Sequence, residues 1–252
     1  MNMKIYVAGH KKFSPPEDNV YVPIIGGMNN HCETENFEGF LGDNTGDNIS
    51  SLNPYFCELT VQYWIWKNDR DSSVVGLSHY RRFFSKKNVG TNIFYTGTKE
   101  EKITFEDHDI ASGNDFDFSK IDIVLPSKFK VSSPIDQYKN AHVIEDFFMV
   151  REKIKKIHPD YLDAYDFYVN FCDYFYHTNM IIAKKEIFNE YSSWLFSLLL
   201  PLSDKKFFSN YDDYQKRIFG FLSERLLCIW ILKNRERFCI EERPLVHLFH
   251  LY

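Results

Sequence analysis

The sequence has few features that could cross-link a fold covalently or anchor it in a membrane. The 252 residues include five cysteines, an odd and widely spaced set without a Cys-x-x-Cys pair, which argues against a disulfide framework and a structural zinc site. The longest apolar run, around Trp194 to Leu202, is too short to cross a bilayer. The amino terminus has no signal-peptide hydrophobic region. We therefore expect a cytoplasmic protein that touches the inner face of the plasma membrane peripherally at most.

The sequence also has little excess charge. It contains 30 Lys and Arg against 35 Asp and Glu, a net charge of −5, whereas a nucleic-acid-binding protein needs a basic face. No nucleic-acid partner is therefore expected. Short basic runs such as Lys153 to Lys156 stand beside acidic residues and are typical of solvated surface, although together they would suit an anionic membrane. Aromatic residues, in contrast, make up 17% of the chain, which supplies core material for one large domain.

Short apolar strands alternate with amphipathic helices along the chain. Strands are predicted over 4–8, 21–25, from 74, over 121–125 and over 178–184. Helices are predicted over 51–66, 134–157, 161–174, 186–200 and 214–233. Residues 28–48 are expected to form a long loop, 85–115 an insertion or hairpin, and 238–249 an edge strand interrupted by Pro244. The alternation predicts an α/β fold with a mostly parallel central sheet flanked by helices.

The stretch Val74–Phe84 carries the strongest functional signal. Its β-branched start predicts a buried strand, which ends in His79, Tyr80, Arg81 and Arg82. In open α/β sheets ligands gather at the carboxyl ends of strands, and arginine offers a fixed fork of donors that stays charged. The stretch therefore predicts a phosphate or carboxylate site. The alternative is a solvated turn with ordinary surface arginines.

A second anion-binding signal is the loop Gly42–Asn48, which includes Asp47 and leads into a helix. A helix N-terminus presents unpaired N–H groups and a positive dipole end, which suits a diphosphate. Asn and Asp are also common turn formers and helix caps, and this alternative stays open.

Glu224 is the candidate general base. It lies in a predicted helix among Phe221, Leu222, Leu226 and Leu227, where desolvation would raise the pKa of its carboxyl. The alternative is an exposed glutamate paired with a surface cation.

Two acidic patterns have metal-ligand spacing. His142 and Asp146 would share one helix face at a spacing of four, and Asp115 and Asp117 form an Asp-x-Asp sequence. A surface helix that carries solvated polar side chains explains His142 and Asp146 better. Asp115 and Asp117 lie in a polar loop before a strand. We assign no metal site, and both patterns stay open as alternatives.

Several segments resemble a bacterial family of proteins described as capsular, exopolysaccharide or O-antigen glycosyltransferases, which share a domain long described as of unknown function. The resemblance runs nearly end to end. It is carried by Lys4-Ile-Tyr-Val-Ala-Gly-His10, Gly46-Asp-Asn-Ile-Ser50, Tyr55-Phe-Cys-Glu-Leu-Thr60, Tyr63-Trp-Ile-Trp-Lys-Asn68, Val75-Gly-Leu-Ser-His-Tyr-Arg-Arg82, Asn179-Met180 and Phe219-Gly-Phe-Leu-Ser-Glu-Arg225.

The resemblance implies a single GT-A-like domain over residues 1–252, with a helical insertion. Residues 1–130 would form the nucleotide-sugar-binding half and residues 131–252 the acceptor and catalytic half. The end of the first strand would hold the nucleotide base. The residues at that position are Tyr6, Ala8, Gly9 and His10.

The donor diphosphate is the second implication of the resemblance. His79-Tyr80-Arg81-Arg82 stands where GT-A enzymes usually carry the metal-binding Asp-x-Asp. Cationic side chains there would compensate the diphosphate charge directly, so we expect no required metal or other cofactor. Asp47 and Asn48 are expected to contact the donor as well.

The catalytic half is assigned by position in the same way. Glu224 would take the proton from the acceptor hydroxyl, with Asp146 next in line as the base. Asn179, Met180 and Arg225 are expected to contact the acceptor or the transferred sugar.

The sequence thus predicts a hexosyltransferase in bacterial surface polysaccharide assembly. It would move a hexose, with galactose in pyranose or furanose form as the candidate, from a UDP-sugar to a lipid-linked oligosaccharide. A non-catalytic nucleotide-sugar sensor or assembly protein on the same fold is the first alternative. A metal-dependent hydrolase built around His142 and Asp146 is the second.

Overall fold

The computed structural model describes residues 2–31, 37–96, 109–203 and 207–249. The central sheet is built from strands of both chain halves. Its strands are β1 (Met3–Gly9), β2 (Tyr21–Ile25), β3 (Leu41–Gly42), β4 (Val74–His79), β7 (Ile123–Pro126), β10 (Ile181–Lys184) and β11 (Ile240–Arg243). They lie in the order β11-β7-β10-β4-β1-β2-β3.

The sheet is mostly parallel. Strand β1 pairs in parallel with β2 and β4, β2 with β3, and β7 with β11, whereas β10 runs antiparallel to both β4 and β7. The predicted α/β fold with a mostly parallel sheet is confirmed. Because β1 and β4 run side by side in the same direction, their carboxyl ends meet at one edge of the sheet.

A small extension continues the sheet beyond the end of β4. It consists of β5 (Arg82–Phe84), β6 (Ile93–Thr96) and β12 (Leu245–Phe249). Strand β5 turns back antiparallel against β4 and then pairs with β12, which also pairs with β6. The tail 238–249 therefore forms two strands, with Pro244 between them. Of these two strands, only β11 is an edge strand of the central sheet, whereas β12 is flanked by β5 and β6. A separate short pair joins β8 (Phe129–Lys130) and β9 (Tyr174–Phe175).

Helices cover the sheet. They are α1 (Asn53–Phe56), α2 (Leu59–Asn68), α3 (Pro134–Ala141), α4 (Ile144–Ile157), α5 (Leu162–Phe171), α6 (Lys185–Ser203) and α7 (Ile218–Asn234). The alternating residues of the strands feed two cores: Tyr6 and Leu77 belong to the larger one, whereas Ile5 and Val74 belong to the smaller one. A sheet buried on both faces explains why its strands read as continuous apolar runs.

Three helix predictions need correction. The predicted helix 51–66 is divided between α1 and α2, because Cys57 adopts positive φ (51°) between them. The segment 134–157 is two helices, since His142 adopts an extended conformation (φ −142°, ψ 176°) between α3 and α4. His142 and Asp146 therefore do not share a helix face, and that prediction is wrong. Helix α6 also continues through Pro201 to Ser203 rather than ending before it. Within the predicted insertion 85–115, residues 97–108 lie outside the described residues. None of the described helices is both long and apolar enough to span a bilayer.

Candidate functional site

A cleft of about 650 Å³ opens at the carboxyl ends of β1 and β4. The start of α7 and the junction between α1 and α2 form its other walls. Its lining comprises Ala8, Gly9, His10, Gly26, Asn53, Pro54, Cys57, Glu58, His79, Tyr80, Arg81, Arg82, His177, Thr178, Asp213, Lys216, Arg217, Gly220, Phe221 and Glu224. The cleft thus lies where an open α/β sheet places its ligand.

Positive side chains dominate one part of this lining. Arg81 and Arg82 follow the end of β4, with Arg82 the first residue of β5, and Lys216 and Arg217 come just before α7. The Arg81 guanidinium lies 4.8 Å from the centre of the Tyr80 ring. Burial lowers the pKa of Arg82, while Glu58 acts in the opposite direction. A half-buried guanidinium that has lost much of its water favours an anionic partner.

Two carboxylates face these cations. Glu58 has 13% of its side chain exposed and Glu224 has 19%. Burial raises the pKa of both carboxyls, and hydrogen bonds to their charged forms oppose that shift. Asn179 Nδ2 donates to Glu58 Oε1 at 2.6 Å, and the Thr178 N–H donates to Glu224 Oε1 at 2.7 Å. Two desolvated carboxylates in one cleft are the groups that general-base chemistry requires.

The turn between β9 and β10 holds both carboxylates in place. Thr178 and Asn179 have φ angles of 86° and 55°, and Cys57, next to Glu58, has a φ of 51°. No other non-glycine residue among the described ones has positive φ. Such backbone costs about 1–3 kcal/mol for each residue and tends to occur at functional sites. The strain is therefore concentrated where the cleft positions its acids.

Further polar contacts tie this turn to the strand end and to α7. His79 Nε2 lies 2.5 Å from the Thr178 carbonyl oxygen, which can only accept, so Nε2 carries the proton. Asn179 also donates to the Gly220 carbonyl, and its own Oδ1 accepts from the Ser223 hydroxyl at 2.7 Å. The turn is thus locked between β4 and α7.

Arg225 lies behind Glu224 and is almost fully buried. Its Nη1 donates to Glu224 Oε2 at 2.6 Å and its Nη2 to Gln137 Oε1. The guanidinium lies 4.3 Å from the Phe175 ring centre and 5.1 Å from that of Tyr138. Arg225 therefore compensates and orients the Glu224 carboxylate from the protein side.

Three histidines surround Arg82. His79 and His247 are its cross-strand partners on β4 and β12, and the His177 ring lies 5.9 Å from that of His247. Burial and the nearby Arg82 charge lower the pKa of His79 to about 3 and that of His177 and His247 to about 4. All three imidazoles are neutral at pH 7, so none of them adds positive charge beside the Arg82 guanidinium.

Eight of the residues predicted for the site line the cleft together. They are Ala8, Gly9, His10, His79, Tyr80, Arg81, Arg82 and Glu224. Asn179 and Arg225 stand directly behind the lining, where they bond to Glu58 and Glu224. The sequence expected these two to contact the acceptor or sugar, whereas the structure places them as supports of the carboxylates.

The other predicted site residues lie outside the set of described residues that line the cleft. Tyr6 lies two residues before Ala8 on β1 and outside the lining, and its hydroxyl donates to Asp69 at 2.7 Å. Asp47 accepts from the Tyr63 hydroxyl on α2 at 3.0 Å. The Asn48 side chain donates to carbonyl groups of its own loop. The loop 42–48 thus packs on α2 rather than on the cleft.

Met180 and Asp146 are also outside the cleft lining. Met180 is fully buried in the smaller core. Asp146 is 2% exposed and accepts from the Tyr211 hydroxyl at 2.9 Å. Burial raises the pKa of Asp146 to about 6. The raised pKa of Asp146 therefore reflects the burial of its side chain on α4 rather than a position in the cleft.

The acidic patterns considered for metal binding have local structural roles. Asp115 accepts from the Ser112 N–H and hydroxyl in a capping box, and Asp117 bonds to Ser119 and Lys120. In the part of the chain that the structure describes, no three His, Cys, Asp or Glu side chains come together as a metal site would require.

Sequence reasoning missed six lining residues that carry charge or positive φ, among them Cys57 and Asp213. Glu58, Thr178, Lys216 and Arg217 come from three segments that are far apart in the chain. Glu58 does fall within one of the segments that carry the family resemblance, which was the available signal. Nothing in the local pattern around Lys216 and Arg217 distinguishes them from surface cations.

Comparison with known proteins relates the chain to a protein family and to a solved structure. Residues 4–235 match the family model described as Domain of unknown function (DUF4422). No curated protein matches the chain. A solved structure described as the apo form of the bifunctional glycosyltransferase WbbM is similar, with 31% sequence identity and a TM-score of 0.87.

The similarity to WbbM covers 99% of this chain but 46% of the WbbM chain, so the protein spans about half the length of that relative. The shared architecture is GT-A-like: a mostly parallel sheet flanked by helices. The family model covers most of the sequence. The chain therefore belongs to the DUF4422 family.

Proposed function

We propose that this protein is a glycosyltransferase that moves a hexose from a nucleotide-sugar donor to a carbohydrate acceptor. The observation that carries the proposal is the pairing, in one cleft, of guanidiniums with two desolvated carboxylates, Glu58 and Glu224. The similarity to WbbM supports the same reaction class. We further propose UDP as the nucleotide, galactose in pyranose or furanose form as the candidate sugar, and a lipid-linked oligosaccharide of bacterial surface polysaccharide as the acceptor.

The donor diphosphate would lie against Arg81 and Arg82, with Lys216 and Arg217 on the facing wall. Guanidiniums bind phosphate oxygens through paired hydrogen bonds and keep their charge at any physiological pH. As the bond between the anomeric carbon and the diphosphate breaks, its electron pair passes to the leaving oxygen. Fixed cations stabilise the charge that builds there. On this proposal the reaction does not require a divalent metal.

Glu224 would act as the general base. Its Oε1 and Oε2 are oriented by the Thr178 N–H and by Arg225, so the carboxylate is fixed before the acceptor arrives. The acceptor hydroxyl attacks the anomeric carbon and gives its proton to Glu224. Glu58, the other cleft carboxylate, would hold a hydroxyl of the transferred sugar. Both acids are needed on this account, in different roles.

The direct test is incubation of the purified chain with UDP-galactose and UDP-glucose, with and without EDTA. Release of UDP by slow donor hydrolysis, together with thermal stabilisation by UDP that survives EDTA, is the expected result. UDP stabilisation without any donor hydrolysis or transfer would favour a non-catalytic nucleotide-sugar-binding protein. Loss of UDP binding in EDTA would contradict the metal-independent mechanism.

A further inference from the structure

An aromatic strip runs out of the cleft along the small sheet extension. Strand alternation puts Arg82 of β5, His247 and Phe249 of β12 and Phe94 of β6 on one sheet face, because His247 is the register partner of both Arg82 and Phe94. His177, which lines the cleft, packs on His247. The strip therefore begins at the proposed diphosphate position and leads away from it.

The rings of the strip are nearly parallel. His177 and His247 are 5.9 Å apart at 5°, and His247 and Phe94 are 4.8 Å apart at 24°. Phe249 lies 6.0 Å from His247 at 11° and 6.1 Å from Phe94 at 14°. The outer end is open to solvent, since Phe94 is 60% exposed and Phe249 37% exposed. Exposed aromatic residues that adjoin one another on a surface mark an interaction site more often than scattered ones do.

The strip also carries polar atoms that have no partner. His177 Nδ1 and His247 Nε2 are buried and without a hydrogen bond, and so is the Thr178 hydroxyl next to His177. His247 is 5% exposed. Buried polar atoms without partners are uncommon in folded proteins, and each such atom costs about 1–3 kcal/mol. Three of the ten such atoms among the described residues adjoin the cleft and the aromatic rings, where the hydroxyl groups of a ligand would pair with them.

We infer that this strip, defined by His177, His247, Phe94 and Phe249, is the binding surface for the sugar units of the acceptor. A sugar ring has an apolar face of C–H groups that packs on an aromatic ring and a rim of hydroxyls that needs hydrogen-bond partners. The strip offers both. A lipid chain would leave the imidazole nitrogens unpaired. This inference rests on the proposed transferase function and adds the side from which the acceptor enters.

The direction of entry agrees with the position of the proposed base. His177 precedes Thr178, whose N–H holds Glu224 Oε1. An acceptor lying on the strip with its terminal unit at His177 would present its hydroxyl beside Glu224 and next to the donor held by Arg82. The strip thus supplies acceptor binding without overlapping the donor contacts on β1.

The inference is tested with methyl α- and β-galactopyranoside, glucopyranoside and mannopyranoside as probes, by saturation-transfer NMR on the full chain with and without UDP. We expect at least one methyl glycoside to give a signal in the natural protein. Phe94→Ser and the double variant Phe94→Ala/Phe249→Ala should reduce that signal at least fivefold while the thermal shift with UDP is unchanged. Phe171→Ala removes an exposed ring (76%) on α5 and should change neither.

Three outcomes would overturn the inference: no methyl glycoside signal, a signal that survives loss of Phe94, or binding of octyl but not methyl glycosides, which would assign the strip to an alkyl chain. Because Phe94 is mostly exposed, Phe94→Ser is expected to leave the fold intact. Failure of UDP to bind the natural protein would instead refute the proposed function. The glycoside signals without UDP report on the strip separately.

Discussion

The main-chain N–H of Thr178 donates a 2.7 Å hydrogen bond to Oε1 of Glu224, and it does so from a left-handed backbone conformation (φ 86°) that a β-branched residue rarely adopts. The neighbouring Asn179 holds Glu58 in the same way with its side-chain amide. One strained turn therefore fixes both acids of the cleft. Strain that persists at such a position must be offset by packing elsewhere.

Replacing Glu224 with Gln should separate binding from chemistry. The amide keeps the shape of the side chain but cannot accept a proton, so donor hydrolysis and transfer should fall by about 10²–10⁴-fold while UDP affinity changes less than threefold. Calorimetry with UDP and a UDP-release assay measure the two properties. Glu152→Gln, on an exposed side chain of α4, is the matched control. Retained turnover in the Glu224 variant would move the base to another residue.

Thr178→Gly should stabilise the protein. Glycine adopts positive φ without the clash of a β-branched side chain, and the substitution also removes a buried hydroxyl without a partner. We expect an increase of about 1–2 kcal/mol in the free energy of unfolding, measured in urea. Thr178→Ala removes the same hydroxyl but keeps a Cβ at positive φ, so it should gain less. Equal or opposite effects of the two variants would show that the turn is not strained.

Arg225→Ala should destabilise the protein strongly. The guanidinium is 1% exposed and compensates the Glu224 carboxylate, and its loss would leave a buried charge without its ion-pair partner. A cost of about 3–5 kcal/mol is expected, seen as a lower midpoint in urea. Arg235→Ala, at an exposed position after α7, is the control and should change little. A small effect at Arg225 would mean that Glu224 is solvated well enough without it.

The buried carboxyl of Asp146 makes the free energy of unfolding depend on pH. Burial raises the pKa of its carboxyl from 3.8 to about 6, so the folded state binds more protons than the unfolded state between these values. The stabilising contribution of the protonated form is present below pH 4 and is lost as pH rises through 6. Asp146→Asn should therefore be more stable than the natural protein above pH 6, by about 2–3 kcal/mol, with the difference vanishing near pH 4.

The control for that experiment is Asp160→Asn, at a side chain that is 61% exposed. Its unfolding free energy should differ little from that of the natural protein at any pH between 4 and 8. A difference at Asp146 that does not grow between pH 4 and pH 6 would contradict the raised pKa.

The sequence predicted those parts of the fold and site that depend on local pattern. The apolar run ending in His79, Tyr80, Arg81 and Arg82 predicted both a buried strand and a charged strand end, and these residues do line the cleft. The break at His142 was not predicted, because neither Gly nor Pro occurs there to end a helix. Packing between segments that are distant in the sequence decides where such a helix ends.

Other parts of the site depend on contacts between distant segments. The loop 42–48 looked like an anion-binding loop, but Asn68 and Trp64 of α2 bond to it and hold it on the far side of the helix. Glu58 and Arg217 meet only because the α1–α2 junction packs against the start of α7. No spacing within either segment indicates that meeting.

The central claim is that the guanidiniums at the end of β4 take the place of a metal in holding a nucleoside diphosphate. Calorimetric titration of UDP into the natural protein and into Arg81→Ala/Arg82→Ala, both in EDTA, tests it most directly. Lys86→Ala/Lys87→Ala removes two exposed cations shortly after the same strand and serves as the control. We predict that UDP binds the natural protein and the control with similar affinity and that the arginine variant loses at least a hundredfold. Unchanged affinity in the arginine variant, or no binding by the natural protein without a metal, would contradict the account.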